Sequence, residues 1–325
     1  DLSYIESAVK SIAPVLKKGN LVILESTSPV GTTEKMISWM KEERSDLAFP
    51  EFGNNSLDFD IAVAHCPERV LPGRVIHELI DNDRIIGGVT TRCGEQARNL
   101  YKIFVEADCL ITDCRTAELS KLVENSFRDV NIAFANELSL ICDHLNINVW
   151  EMIKLSNHHP RVNILQPGPG VGGHCIAIDP WFIVSKTPMQ AQLIHTARKI
   201  NNAKPDWVVD KIKIAISEFS KANPRRRLED ISVACYGLTF KSDIDDLRES
   251  PAMYVMQQLA KVHKGRVVAV EPNINQLKEI HEKVKLVTFD EAKNNSDVHL
   301  LLVDHKAFKL DKILGEYVVD TKGIW

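Results

Sequence analysis

The amino-acid sequence predicts an α/β protein in which two parallel-sheet domains are joined by a long central helix and a helical middle domain. Strand-like runs such as Leu21–Leu24 are apolar without alternation, which is typical of strands buried on both faces of a parallel sheet. Such runs alternate with helical patterns in both halves of the chain. Between the halves, apolar residues recur at three- and four-residue steps from Ala117 to about His144, a helix of ~40 Å.

The first domain is predicted to cover residues 1–114. Its elements in order are a helix from about Glu6, a Gly19-Asn20 turn, a strand at Leu21–Leu24, a helix at Thr33–Lys41, strands at Ile61–His65 and Arg84–Gly87, a helix at Gln96–Val105, and a strand at Leu110–Asp113. No strand, glycine-rich turn and helix come before residue 1. We therefore expect the N-terminal part of this domain to be absent from the chain.

The middle domain is predicted at residues 115–222, where the long helix is followed by helical and irregular segments around a proline- and glycine-rich loop. The run ANPRRRLED at 222–230 indicates an exposed connection. Residues 223–325 are predicted to form the second parallel α/β domain. Its strand candidates are ISVACYG, VVAVEP, LVTFD, HLLLVDH and YVVDTKG, and its clearest helix is PAMYVMQQLAKV.

Composition narrows the classes of function. The 325 residues are 44% hydrophobic and 26% charged with a formal net charge of -4, so no basic field indicates nucleic acid or an anionic membrane as a partner. No apolar run approaches the ~20 residues of a membrane helix, and the first residues do not resemble a signal peptide, so we expect a cytoplasmic protein. Seven cysteines without a CxxC pair predict neither a disulfide framework nor a metal site.

The stretch GPGVGGHC at 168–175 has glycines in the G-x-G-x-x-G spacing. No buried strand comes before it and no acidic residue lies near position 190, so we interpret the match as accidental. A helix is expected to begin instead at Asp179-Pro180. Glycines also allow backbone and substrate to approach a reactive side chain closely, and Cys175 comes two residues after Gly173. The alternative is a buried structural cysteine, and the sequence alone leaves both open.

The chain resembles the UDP-glucose/GDP-mannose dehydrogenase family, whose members oxidise a nucleotide sugar twice at C6 with NAD. The similar segments follow one another along the whole chain: ESTSPVGT, CPERVLPG, NDRIIGG, TAELSKLVENSFRDVNIAFANE, GPGVGGHCIAIDPWF, GLTFKSDIDDLRESPA and VVDTKG. The resemblance implies two Rossmann-like domains, the first binding NAD and the last binding the UDP-sugar. It also implies a homodimer formed through the long central helix.

The resemblance further implies that Cys175 holds the sugar as a thiohemiacetal and then as a thioester, which water hydrolyses. Lys121, Asn125 and Arg128 lie at i, i+4 and i+7 on one polar stripe of the long helix. In the family, the matching lysine and asparagine stabilise negative charge on oxygen, and Arg128 is expected to contact substrate. The alternative for this stripe is a solvated helix face.

Three more catalytic residues are implied by the resemblance. Glu68 matches a general base in thioester hydrolysis, with a surface carboxylate as the alternative. Asp179, together with Thr27, matches a pair that holds the catalytic water. An ordinary helix N-cap is the alternative for Asp179.

Binding residues follow from the same resemblance. Substrate contacts are expected at Arg69, Val70, Arg128, His159, Arg161, Gly172, Phe240 and Lys241, and NAD contacts at Ser26, Thr27, Cys175 and Arg248. Pro72 stands where UDP-glucose members often carry a second glutamate. The lysine that those members have just before the aspartate is replaced by Ile178. The missing glutamate shifts the expected substrate contacts of that loop to Arg69 and Val70, and the missing lysine favours a 2-acetamido sugar over glucose.

The expected activity is the oxidation of UDP-N-acetyl-D-mannosamine to UDP-N-acetyl-D-mannosaminuronic acid, in polysaccharide biosynthesis. UDP-N-acetylglucosamine and UDP-glucose are alternative substrates. A nucleotide-sugar-binding protein without turnover is an alternative of another class. Neither nucleic acid nor a membrane is expected as a partner.

Overall fold

The computed structural model describes residues 2–54, 58–70, 75–274 and 282–325. The chain divides into two compact units: the first consists of residues up to Asn125 together with Trp181–Gln190, and the second of Ser126–Pro180 together with Ala191–Trp325. Pro72 lies outside the described residues. No helix of the described part is long and apolar enough to cross a membrane.

The first unit is built on a four-stranded sheet. Its elements are α1 (Ser3–Ile12), β1 (Leu21–Leu24), α2 (Thr32–Glu43), β2 (Ala62–His65), α3 (Val75–Asp81), β3 (Arg84–Gly88), α4 (Thr91–Tyr101), β4 (Cys109–Asp113) and the beginning of α5 (Cys114–His144). The sheet order is β1-β2-β3-β4. The pairs β1–β2 and β3–β4 are parallel, as predicted, whereas β2–β3 is antiparallel. Because β2 and β3 run in opposite directions, β3 begins near the edge of the sheet at which β2 ends. Arg84 therefore lies near the end of β2.

Most predicted elements of this unit are confirmed within a few residues, including β1 and the Gly19 turn, where φ is +88°. The helix expected at Gln96–Val105 begins earlier, at Thr91. Thr90 is its N-cap, since the Thr90 side chain accepts a hydrogen bond from Cys93 N, and a threonine cap stabilises a helix start by about 1 kcal/mol. The long helix also begins three residues before the predicted Ala117.

The second unit contains a five-stranded sheet and the helices that precede it. After α5 come α6 (Val149–Ser156), α7 (Asp179–Lys186), α8 (Gln192–Ala222), β5 (Val233–Tyr236), α9 (Pro251–Val262), β6 (Val267–Val270), β7 (Val284–Leu286), α10 (Phe289–Asn295), β8 (Val298–Leu301), α11 (Lys306–Leu310) and β9 (Val318–Asp320). Helix α7 belongs to this unit only at Asp179 and Pro180, and from Trp181 onward it belongs to the first unit. All pairs are parallel and the order is β7-β6-β5-β8-β9. The predicted α/β class is therefore confirmed.

Helices α8 and α9 pack on one face of this sheet. Their shared core includes Val208, Ile212, Val255 and Leu259, all fully buried. The other face carries a second cluster around Tyr236 and Phe308. Strands covered on both faces explain why the sequence runs of this unit are apolar without alternation.

One prediction for this unit is wrong, and one element was not predicted. LVTFD is not one strand: β7 ends at Leu286, and Thr288 caps α10 by accepting a hydrogen bond from Glu291 N. The sequence also gave no sign that α8 continues for 31 residues, because Pro205 lies inside it and proline normally interrupts a helix. The run at 222–230 is exposed, as predicted.

Candidate active site

The cysteine loop, residues 162–178, connects α6 to α7. It contains no strand, and α7 begins at Asp179, as predicted. The Cys175 carbonyl accepts hydrogen bonds from Ile178 N at 3.1 Å and from Asp179 N at 2.9 Å, so Cys175 lies on the turn that enters the helix.

Cys175 is exposed, and the alternative of a buried structural cysteine therefore does not apply to it. The buried cysteines are Cys66, Cys93, Cys114, Cys142 and Cys235. Burial raises the pKa of Cys235 to about 12, which keeps that thiol protonated and unreactive at neutral pH. Accessibility thus separates Cys175 from these five.

The loop glycines are needed for close packing within the second unit. A Cβ atom at Gly172 would collide with the Glu249 carbonyl and would lie 2.8 Å from Pro251 Cδ. At Gly173, where φ is +84°, it would meet the Phe240 ring at 2.9 Å. The loop therefore lies directly against the segment that follows β5. No strand precedes these glycines, and the interpretation of the G-x-G-x-x-G match as accidental is confirmed.

A pocket of about 180 Å³ lies where this loop meets the second sheet. It is lined by Gly168, Gly170, Phe240, Lys241, Ser242, Pro251, Asp304 and Lys322, with further residues of the same segments. Strand β5 has β6 on one side and β8 on the other, so the connections diverge at the carboxyl ends of β5 and β8. Ligands of open α/β sheets bind at such a switch point.

Phe240 and Lys241, predicted from the sequence, both line this pocket. Sequence reasoning missed two charged residues beside them. Lys322 Nζ lies 3.3 Å from Asp304 Oδ1, which also accepts a hydrogen bond from Ser242 Oγ at 2.7 Å. Asp304 and Lys322 each follow a strand run that the sequence revealed, so the rule that sites form at carboxyl strand ends was the available signal.

Arg248 was expected to contact NAD, but its guanidinium pairs with Asp246 at 2.6 Å. The Arg248 hydrogen bonds hold the pKa of the Asp246 carboxyl below its usual range. His174, the neighbour of Cys175, lowers the same pKa through its charge. A role of Arg248 in NAD binding would require that this pair opens.

The amides of the turn after β5 are already used inside the unit. Glu271 Oε2 accepts hydrogen bonds from Leu238 N at 2.7 Å and Thr239 N at 3.2 Å, and His305 Nε2 lies 3.1 Å away. Burial opposes ionisation of Glu271, but the hydrogen bonds from His305 and Leu238 outweigh it and hold the pKa of the carboxyl below its usual range. In a dinucleotide-binding sheet the amides of this turn bind pyrophosphate. The second sheet therefore does not offer that binding mode.

The remaining predicted residues of the second unit differ in their exposure and packing. Arg128, His159 and Arg161 are exposed, and His159 Nδ1 accepts a hydrogen bond from Arg161 N at 3.4 Å. Asp179 is only 5% exposed and lies in the first turn of α7. Gly172 approaches the Glu249 backbone, so its packing alone requires a glycine.

In the first unit, Ser26 and Thr27 come directly after β1, at the carboxyl edge of the sheet. Ser26 is exposed, Thr27 is half-buried, and Ser28 Oγ donates a hydrogen bond to the Ser26 carbonyl at 2.8 Å. The start of α2 beyond this turn is held by Glu118 of α5. Sequence reasoning missed Glu118, because its partners lie more than eighty residues away in the chain.

The loop after β2 carries Glu68, Arg69 and Val70. Glu68 Oε1 accepts hydrogen bonds from Arg69 N at 2.6 Å and Val70 N at 2.8 Å. The Arg69 guanidinium forms an ion pair with Glu124 on α5. These contacts fix the loop against α5, and Arg69 has a protein partner before any substrate binds.

The predicted polar stripe of α5 is not uniformly solvated. Asn125 is 6% exposed, Lys121 is half-buried and Arg128 is exposed. Burial of an amide and partial burial of a cation are costly without a use or a partner. The alternative of a solvated face is therefore wrong for Asn125.

Three domain profiles match the chain in order. They describe the NAD binding domain (residues 1–105), the central domain (residues 115–203) and the UDP binding domain (residues 234–325) of the UDP-glucose/GDP-mannose dehydrogenase family. This chain belongs to the UDP-glucose/GDP-mannose dehydrogenase family. The resemblance found in the sequence is thereby confirmed, and NAD is the cofactor of its first domain.

Individual members of the family are similar over the whole chain. A UDP-N-acetyl-D-mannosamine dehydrogenase from Yersinia pestis is 59% identical, with 100% of this chain and 78% of the relative covered. An NDP-N-acetyl-D-galactosaminuronic acid dehydrogenase from Ralstonia solanacearum is 55% identical, with 100% and 75% covered. The solved structure of a UDP-D-ManNAc dehydrogenase from Pyrococcus horikoshii is 36% identical with a TM-score of 0.85, and covers 100% of this chain and 74% of that one.

The described part of the NAD binding domain has one turn at which a nucleotide cofactor could bind. The exposed Ser26 and half-buried Thr27 lie at the carboxyl edge of the first sheet, where α/β folds bind nucleotides. The start of α2 is not available to a phosphate group, because the Glu118 carboxylate already accepts its amide hydrogens. At this edge of the sheet the Ser26-Thr27 turn, and not the helix start, is therefore accessible to a ligand.

Proposed function

We propose that this protein oxidises UDP-N-acetyl-D-mannosamine twice at C6 and releases UDP-N-acetyl-D-mannosaminuronic acid. The observation that carries the proposal is the exposed Cys175, on a loop that packs against the pocket at the carboxyl ends of β5 and β8. The relative from Yersinia pestis, at 59% identity over the whole chain, supports the choice of sugar. We infer that the product serves polysaccharide biosynthesis, as the family resemblance implies.

Cys175 is proposed as the covalent carrier. Its thiolate adds to the C6 aldehyde to give a thiohemiacetal, and oxidation converts this adduct to a thioester. Water attacks the thioester carbonyl, the carbon–sulfur bond breaks, and the thiolate takes back its electron pair. Bound NAD supplies the hydride acceptor for each of the two oxidations. Because the aldehyde stays attached to Cys175, no reactive intermediate is released.

Water activation is assigned to Glu68, Asp179 and Thr27. Glu68 Oε1 is fixed by the amides of Arg69 and Val70, and we assign the general-base role to Oε2. Asp179 is buried at the first turn of α7, four residues after Cys175, where a carboxylate can orient a water molecule. Thr27 contributes a hydroxyl from the turn after β1.

We assign the stabilisation of negative charge on the substrate to cationic and amide side chains of the protein. Lys121 provides a cation and Asn125 an amide for the developing oxyanion. Phe240, Lys241 and Lys322 suit a nucleoside diphosphate, since an aromatic ring stacks with a base and ammonium groups pair with phosphate. Arg128, His159 and Arg161 are proposed as further substrate contacts, for which a guanidinium offers a fork of donors.

A substrate panel tests this assignment. The purified protein with NAD is expected to form two NADH per molecule of UDP-N-acetyl-D-mannosamine, with kcat/KM at least about tenfold higher than for UDP-N-acetylglucosamine or UDP-glucose. UDP-N-acetylgalactosamine belongs in the panel because of the relative from Ralstonia solanacearum. Preference for one of the other sugars would overturn the choice of substrate. Binding of UDP-sugars without NADH formation would favour the non-catalytic alternative.

A homodimer through α5 is proposed from the exposed apolar side chains of that helix. Phe127, Phe134, Ile141 and Leu145 are 68%, 52%, 46% and 56% exposed, and they recur at seven- and four-residue steps on one face. An apolar stripe of this kind on a soluble enzyme favours association with a second copy, whose α5 offers the same stripe. We propose the cytoplasm as the compartment, since all seven cysteines are free thiols.

A further inference from the structure

A continuous set of buried polar side chains connects α5 and α8 to the cysteine loop. Arg198 Nη1 donates to Asp129 Oδ1 at 2.6 Å, and Asn201 Nδ2 donates to the same oxygen at 2.8 Å. Asn136 Nδ2 donates to Asn201 Oδ1 at 2.9 Å. Asn136 Oδ1 in turn accepts the amide hydrogen of Gly168 at 2.9 Å. All four side chains are at most 2% exposed.

Gly168 has a distinctive position in the backbone of the loop. Pro167 and Pro169 flank it, and proline has no backbone N–H. The Gly168 amide is therefore the one backbone donor of this three-residue stretch, which is buried. Leaving a buried donor without an acceptor costs about 1–3 kcal/mol. Asn136 supplies the acceptor and therefore determines the position of this stretch.

The other side of Gly168 faces the pocket. Gly168 is among the pocket-lining residues, and a Cβ built there would lie 3.6 Å from Lys322 Nζ. Two residues further on, Gly170 has φ +148° and packs against Pro205 of α8 and Pro251 of α9. The beginning of the loop is thus held between the helices and the pocket, and Cys175 follows seven residues after Gly168.

An apolar side chain at position 136 would leave the buried Gly168 amide without an acceptor and Asn201 Oδ1 without a donor, each at a cost of about 1–3 kcal/mol. What an apolar residue cannot do is hold one amide in one direction. Asn136 is itself oriented from behind by Asn201, which the Asp129–Arg198 ion pair fixes. These buried hydrogen bonds together hold the loop in position.

We propose that Asn136 is a positioning residue for Cys175 and the pocket, acting through the Gly168 amide, with Asn201 as its support. The proposal rests on the function proposed above for the cysteine loop. Asn136 touches neither substrate nor cofactor in this account. Its loss displaces the loop and thereby the thiol and the pocket wall.

The test is Asn136→Leu, which keeps the branched shape of the side chain and removes the hydrogen bonds. We expect kcat/KM for the UDP-sugar to fall about 10- to 100-fold, while KM for NAD stays within about twofold, because Ser26 and Thr27, two of the expected NAD contacts, belong to the first unit. The rate at which iodoacetamide alkylates Cys175, followed on the tryptic peptide by mass spectrometry, is expected to change at least about threefold.

Two controls separate positioning from stability. Asn131→Leu changes the same residue type on the same helix at a side chain that bonds only locally, to the Phe127 carbonyl, among the described contacts. Ile212→Ala removes apolar contacts from the core below α8 and lowers the melting temperature without touching the loop. Both are expected to leave kcat/KM and Cys175 alkylation within about twofold of wild type.

If Asn136→Leu does not fold, Asn201→Leu is measured in the same way and is expected to shift both quantities in the same direction. Wild-type values of kcat/KM and alkylation in a folded Asn136 or Asn201 variant would overturn the inference. A wild-type protein that forms no NADH would overturn the proposed function instead. The alkylation rates would then still test the role of Asn136.

Discussion

The backbone amide of Gly31 donates a hydrogen bond of 2.6 Å to Glu118 Oε2, so a carboxylate of α5 caps the start of α2. Thr33 N and Thr33 Oγ1 donate to the other oxygen at 2.7 and 2.6 Å. Gly31 has no side chain with which to cap the helix itself, and φ at this residue is +92°. The contact fixes the Thr27 turn to the helix that carries Lys121 and Asn125.

Glu118→Ala is expected to lower the free energy of unfolding of the first unit by about 2–3 kcal/mol, because it leaves the buried Thr33 amide and hydroxyl and the half-buried Gly31 amide without their acceptor. Urea denaturation measures this. Arg115→Ala, which removes an exposed ion pair with Glu34 and a cation–π contact with Phe52, is the control and should cost less than Glu118→Ala. Equal losses in the two variants would contradict the capping role.

Lys204 is predicted to make stability rise with pH. The pKa of Lys204 is lowered to about 7, mainly by burial; the charge of Asp143 opposes this shift and that of Lys211 contributes to it. Between about pH 7 and 10.5 the unfolded chain then binds more protons than the folded one, so the free energy of unfolding increases with pH by up to about 1.4 kcal/mol per unit.

Lys204→Met should remove this slope, while Lys199→Met, at an exposed position of the same helix, should retain it. Chemical denaturation at pH 7, 8, 9 and 10 compares the three proteins. The charged groups near Lys204 are Asp143, Lys211 and Asp320, and none of them is changed in either variant. A slope that survives in Lys204→Met would show that another group titrates.

The effects of replacing Arg69 and Glu124 on kcat/KM are predicted to be non-additive. Their ion pair connects the loop after β2 to α5, so Arg69→Ala and Glu124→Ala should each lower kcat/KM for the UDP-sugar. The double variant should be no worse than the more damaging single variant by more than about 0.5 kcal/mol of transition-state free energy. Strictly additive losses would mean that Arg69 acts on the substrate independently of Glu124.

The α5 stripe predicts the assembly state. Phe134→Glu puts a charge among Phe127, Ile141 and Leu145 and should convert a dimer to a monomer in sedimentation velocity. Leu155→Glu, an equally exposed apolar residue on α6, is the control and should leave the dimer intact. A wild-type protein that sediments as a monomer at micromolar concentration would contradict the proposed homodimer.

Much of the fold could be predicted from the sequence because local patterns determine it. The buried strands are apolar runs and α9 begins at Ser250-Pro251 with a serine cap, so both leave local signals. The antiparallel β2–β3 pair and the length of α8 do not, since strand direction depends on distant pairing and Pro205 has an unfavourable local propensity.

The candidate site was predictable in part. Cys175 was identified by resemblance and glycine context, and its exposure could be known only from the structure. Glu118, Asn136 and Asn201 were not identified, because a buried polar residue on a helix looks like any polar residue in the sequence. Their roles come from partners 32 to 87 residues away.

The central claim is that Cys175 carries the sugar covalently. Rapid quenching of the protein with UDP-N-acetyl-D-mannosamine and NAD, followed by mass spectrometry of the Cys175 peptide, tests it most directly. We expect an acyl adduct on Cys175 that disappears as uronate forms, with no uronate from Cys175→Ala although that variant still binds UDP. Formation of uronate by Cys175→Ala at the wild-type rate would contradict the account.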